Sequence, residues 1–96
     1  MEFRDYIIIL YDYYKDLFND KQQEYFEDYY FNNLSLGEIS DNVGISRNAI
    51  HKSIKLVEDK LMFYENKLNL YNKSKQISEL LTKVPEDIKI KIEKLL

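Results

Sequence analysis

Ser46, Arg47, Asn48, His51, Lys52 and Lys55 are the residues whose types and spacing could do chemistry. A guanidinium can donate two parallel hydrogen bonds to guanine, and a carboxamide can pair with adenine. Lysine ammonium groups and a serine hydroxyl suit phosphates. On a helix, positions 47, 51 and 55 fall in line and 48 and 52 lie beside them, so the set forms one end of a helix able to enter a DNA major groove. The plain alternative is a solvated basic face, because Glu58 and Asp59 follow on the same segment and His51 beside Lys52 is an ordinary exposed histidine. Enzyme chemistry finds no residues to carry it. There is no cysteine and one histidine, and no glycine-rich phosphate loop, nucleophile elbow or metal-ligand cluster. Glu27 and Asp28 are chain neighbours that point to different sides of a helix. No catalytic residue, cofactor or metal is therefore expected.

The elements that must position this set are written in the surrounding residues. Ser35-Leu36-Gly37-Glu38 has the form of a capping box and opens a short helix of about 35–42. Gly44 stands where a helix can end in a left-handed residue, and Ser46 can cap the next one. Ile39, Val43, Ile45, Ile50 and Ile54 are expected to form the small core that fixes the corner, with Ser40 small enough for the second helix to come close. The segment 35–61 thus predicts a helix-turn-helix. From Ile50 the apolar residues Ile54, Val57, Leu61, Tyr64, Leu68 and Tyr71 follow at steps of 4, 3, 4, 3, 4 and 3. That spacing predicts one long helix of about 46–72, roughly 40 Å in length. Its distal half needs cover from the first helix, the carboxy-terminal helices or a second copy of the chain.

Phe3, Ile7, Leu10, Tyr14 and Leu17, widened by Tyr6, Tyr13 and Phe18, mark a first amphipathic helix. Asn19 and Asp20 end it and supply the cap of a second, about 21–31, in which Tyr25, Phe26, Tyr29 and Tyr30 recur at helical spacing. These aromatic stripes are expected to be core. Ser74 is expected to restart a helix, and Pro85, Glu86 and Asp87 open the last, giving carboxy-terminal helices over about 74–96. The 96 residues, with two Gly, one Pro and no Cys, are expected to form a single all-α domain spanning 1–96.

Net charge is −3, a balance that taken whole argues against nucleic acid. The excess of acid lies in residues 1–33, whereas the segment 34–61 is neutral and the remainder is slightly basic. The longest apolar run, Tyr6 to Tyr11, is too short to span a bilayer, and early charges disfavour a signal peptide. A cytoplasmic protein without membrane insertion is expected.

The stretch "LFNDKQQEYFEDYYFNNLSLGEISDNVGISRNAIHKSIKLVEDKL", with "YENKLNLYNK" after it, resembles the YlxM family of small bacterial helix-turn-helix proteins over about residues 5–73. The resemblance implies a wingless helical bundle similar to region 4 of sigma factors. It also implies a role in, or regulation of, the signal recognition particle pathway. Two functions follow as expectations. One is a DNA-binding regulator acting as a homodimer, because one recognition helix makes few contacts. The other is an interaction module whose acidic first third meets a basic component of the signal recognition particle without specific DNA binding.

Overall fold

A computed structural model describes residues 1–96 as an all-helical chain. Its helices are α1 (Phe3–Tyr14), α2 (Asp20–Tyr30), α3 (Leu36–Val43), α4 (Arg47–Leu68), α5 (Leu70–Leu81) and α6 (Glu86–Glu93), with a turn of 3-10 helix, Lys15–Leu17, after α1. The molecule is elongated, 54 × 24 × 24 Å. Helix α4 is the central spar, with α1, α2 and α3 packed along it. Its residues Ile50, Ile54, Val57 and Leu61 meet Ile7, Leu10, Tyr11 and Tyr14 of α1, Phe18, Tyr25, Phe26 and Tyr30 from the second segment, and Ile39 of α3 in one core. Helix α1 thereby covers the long apolar stripe as far as Leu61 and Tyr64.

Aromatic residues fill this core, and their polar ends dictate its wiring. The ring of Phe26 is stacked between Tyr11, at 4.1 Å, and Tyr30, at 4.4 Å. Each such pair adds about 0.5–1.5 kcal/mol beyond its area. A buried phenol must also find an acceptor, and here each acceptor is a carboxylate on another helix. Tyr11 Oη donates to Glu27 at 2.5 Å, Tyr30 Oη to Glu58 at 2.5 Å and Tyr14 Oη to Glu65 at 2.6 Å. No buried side-chain nitrogen or oxygen is left without a partner. Arg4 ties the start of α1 to the end of α2 by donating to the Tyr30 carbonyl at 2.7 Å while lying over the Tyr30 ring.

The structure corrects several boundaries. Helix α4 does not run to residue 72, because it stops at Leu68, where Asn69 turns left-handed at φ 59°. Helix α5 starts at Leu70 rather than at Ser74. The cause is Glu65, only 6% exposed. Its carboxylate accepts the amides of Tyr71 and Asn72 at 3.1 Å each, and Tyr14 Oη accepts the amide of Leu70 at 3.1 Å. Side chains thus cap α5 four residues ahead of the expected start. With the axis broken, Glu65 follows Leu61 inward and Leu68 is left 46% exposed. On α1 Tyr11 is buried whereas Phe3 and Tyr13 are exposed, and Leu17, in the 3-10 turn after Tyr14, is exposed as well. Pro85 caps α6 instead of forming its first residue.

The Tyr14 hydroxyl is pushed up to about 12 from 10.0, by burial first and then by its bond to Glu65, while the amide of Leu70 pulls the other way. Below pH 10 the phenol is protonated in folded and unfolded chains alike, and its contribution is complete. Between pH 10 and 12 the unfolded chain releases the proton that the folded one keeps, so stability falls as pH rises through that window. Urea midpoints measured across it should decline, and less steeply for Tyr14→Phe. At neutral pH that substitution should lower stability by about 1–3 kcal/mol.

Candidate nucleic-acid interface

The corner between α3 and α4 is held by local hydrogen bonds that the chain supplies at each end. Ser35 Oγ accepts the amide of Glu38, and Glu38 Oε1 accepts the amide of Ser35, both at 3.1 Å. Helix α3 ends at Gly44, whose φ of 77° is left-handed and whose amide donates to the Ser40 carbonyl at 2.9 Å. Ser46 is extended, and its Oγ accepts the amide of Ala49 at 3.1 Å to start α4. Beneath the corner, Ile39, Ile50 and Ile54 are buried and Val43 packs partly against them.

Ile45 departs from expectation, being 39% exposed. The turn is secured by its backbone instead, because Ser40 Oγ donates to the Ile45 carbonyl at 2.5 Å. The size of Ser40 was legible from its place in the motif, but this second role was not. Only the folded turn brings a carbonyl five residues ahead within reach.

Ser46, Arg47, Asn48, His51, Lys52 and Lys55 are all exposed, on the turn and the first turns of α4. Asn48, His51 and Lys52 form no side-chain hydrogen bond or ion pair within the chain. Lys55 pairs with Asp59 at 3.1 Å, with both side chains more than half exposed. Such a pair contributes little and exchanges readily with another anion. Arg47 is placed differently. Its guanidinium folds back over Gly37 of α3, so that a Cβ added there would lie 2.7 Å from its Nη2. Gly37 is thus a residue that sequence reasoning missed, since its relevance lies in a contact across the corner. The acidic residues Glu2, Asp5, Asp12, Asp16, Asp20 and Glu24 are exposed on the segments of α1 and α2, away from this end of α4 in sequence.

The arrangement is a capped two-helix corner presenting unpaired hydrogen-bond donors and cationic groups from the start of its second helix. A family model described as "Putative helix-turn-helix protein, YlxM / p13 like" matches residues 1–95. The chain belongs to this family, UPF0122. A UPF0122 protein of Caldanaerobacter subterraneus subsp. tengcongensis is 45% identical over 83 residues, which cover 86% of this chain and 71% of the relative. One from Thermoanaerobacter sp. is 42% identical over 85 residues, or 88% and 73% of the two chains. Another, from Oceanobacillus iheyensis, is 45% identical over 75 residues, or 78% and 71%. For this UPF0122 member no helix is long and apolar enough to cross a membrane.

Two substitutions test how the corner is held. A Cβ at residue 44 would meet nothing within 4 Å, so Gly44→Ala should lose only what the left-handed backbone demands, about 1–2 kcal/mol. Ser46→Ala should lose about 1 kcal/mol by removing the cap. Urea denaturation of each variant provides the measurement.

Proposed function

We propose that this chain is a non-enzymatic, cytoplasmic regulatory protein that binds duplex DNA as a homodimer through the start of α4. The observation that carries this reading is the exposed set Ser46, Arg47, Asn48, His51, Lys52 and Lys55 at the start of a helix whose opposite face is buried in the core. In this reading Asn48 and His51 meet base edges, and Arg47 leaves its seat on Gly37 to join them. Lys52, Lys55 and Ser46 suit phosphates. The acidic excess does not oppose this reading, because it resides in α1 and α2 and not in the helix that enters the groove. Two copies would read half-sites about 34 Å apart, one turn of the duplex. The DNA so bound would belong to regulation in or of the signal recognition particle pathway.

A second reading rests on the exposed carboxylates of the first two helices. In this reading they would meet a basic partner, such as an RNA-binding component of the signal recognition particle, with the helix-turn-helix kept as scaffold.

Fluorescence anisotropy with random duplex DNA at a series of salt concentrations separates the two. The affinity of a DNA binder should fall linearly on logarithmic axes as salt rises. Lys52→Ala should weaken binding to all sequences alike and reduce the slope by about 1. Asn48→Ala should instead alter preference among sequences. Absence of binding even at low salt would overturn the DNA reading and favour the second, which pull-down with purified signal recognition particle then tests.

A further inference from the structure

The junction of α4 and α5 holds as many hydrogen bonds bent as it would straight. In a continuous α-helix the amides of Leu70, Tyr71 and Asn72 would donate to the carbonyls of Asn66, Lys67 and Leu68, four residues back. In the structure they donate instead to Tyr14 Oη, Glu65 Oε1 and Glu65 Oε2. The amides on either side keep helical partners, Asn69 donating to the Glu65 carbonyl at 2.8 Å and Lys73 to that of Asn69 at 2.9 Å. Three side-chain bonds have replaced three backbone bonds, and Asn69 alone has left the helical region.

The apolar pattern is written for the straight form. The steps of four and three from Ile50 to Tyr71 cross residue 69 without a change of phase. In a continuous helix Leu68 and Tyr71 would stand in line with Leu61 and Tyr64, whereas the bend leaves Leu68 exposed and turns Glu65 inward. Beyond the bend, α5 is seated on α1 through Tyr71, whose ring meets Tyr6 at 6.1 Å and Tyr13 at 6.0 Å. Helix α6 buries none of its residues. The carboxy-terminal hairpin is therefore attached through the hinge at Asn69, the amide bonds to Tyr14 and Glu65, and the aromatic seat of Tyr71.

We propose that Asn69 is a hinge through which two copies of the chain exchange α5 and α6. On straightening, α5 leaves its own α1 and docks on the α1 of the other copy. The occupant is fixed by the seat itself, because Tyr6 and Tyr13 are already fitted to α5 of this sequence and the exchanged contacts are those of the single chain. The inference rests on the two-copy part of the reading above and supplies its surface.

Sedimentation of the full chain and two hinge variants tests the exchange. Asn69→Ala disfavours the left-handed residue and favours helix, so its dimer dissociation constant should be at least roughly tenfold lower than that of the parent. Asn69→Gly accommodates the bend and weakens helix, so its dimer should be weaker than the parent's. The chain has no cysteine, which allows specific cross-linking. Tyr13 of α1 lines a cleft together with Lys73 and Ile77 of α5, and Asp12 is its chain neighbour. Chains carrying Asp12→Cys and chains carrying Lys73→Cys, each with Asn69→Ala, are mixed, unfolded and refolded together. A thiol cross-linker should then join one kind of chain to the other. A dimer that forms without this cross-link would overturn the exchange while leaving the two-copy reading intact. If Asn69→Ala stays monomeric at high protein concentration the exchange is overturned, and if the parent chain does so as well the two-copy reading falls with it.

Discussion

The carboxylate of Glu65 is buried, and a buried charge costs several kcal/mol unless donors surround it. Three donors do so: the hydroxyl of Tyr14 from α1 and the amides of Tyr71 and Asn72 from α5. Satisfying this one group fixes where α4 ends, where α5 begins and how α1 lies along both. The same device recurs with less burial at Glu27 and Glu58, each receiving a tyrosine hydroxyl from another helix. A core built from tyrosine thus gains both its apolar filling and a set of directional ties. Those ties bear on orientation more than on affinity between helices, because each geometry admits a narrow range of distances and angles.

The two ends of the molecule follow different rules. At the helix-turn-helix end, position is set locally: Ser35, Gly44 and Ser46 cap or turn the backbone within three or four residues of themselves. At the far end, position is set by contacts across more than fifty residues, from Tyr14 to Glu65 and Leu70. The local end therefore takes its shape from residues close by in the chain, independently of the distal hydrogen bonds. The distal end rests on side-chain hydrogen bonds that take the place of backbone ones.

Much of the fold was legible in the residues. Caps and the αL glycine have strong local preferences, so the bounds of α2, α3 and the start of α4 lie within a residue or two of expectation. Of the aromatic stripe of α2, Tyr25, Phe26 and Tyr30 are buried as its spacing indicates, while Tyr29 is only partly buried. The expected site residues are all exposed, yet the return of Arg47 over Gly37 was not legible, since it needs α3 and α4 already crossed. Ile45 was misplaced because apolar character in a turn does not reveal whether the side chain or the carbonyl will face inward.

The heptad stripe marks the division most clearly. Sequence by itself determined that α4 would be a long helix with Ile50, Ile54, Val57 and Leu61 turned to the core, because a repeat of four and three can place those side chains on only one face. It also determined the capped corner that presents Arg47 to Lys55. Only the tertiary structure decided that the helix would break at Asn69. Periodicity records which residues prefer burial, but it carries no account of a tyrosine fifty-one positions away whose hydroxyl shares a buried carboxylate with two free amides. Once folding brings α1 against α4, those side-chain bonds match the backbone bonds lost, and the chain turns where its pattern runs straight.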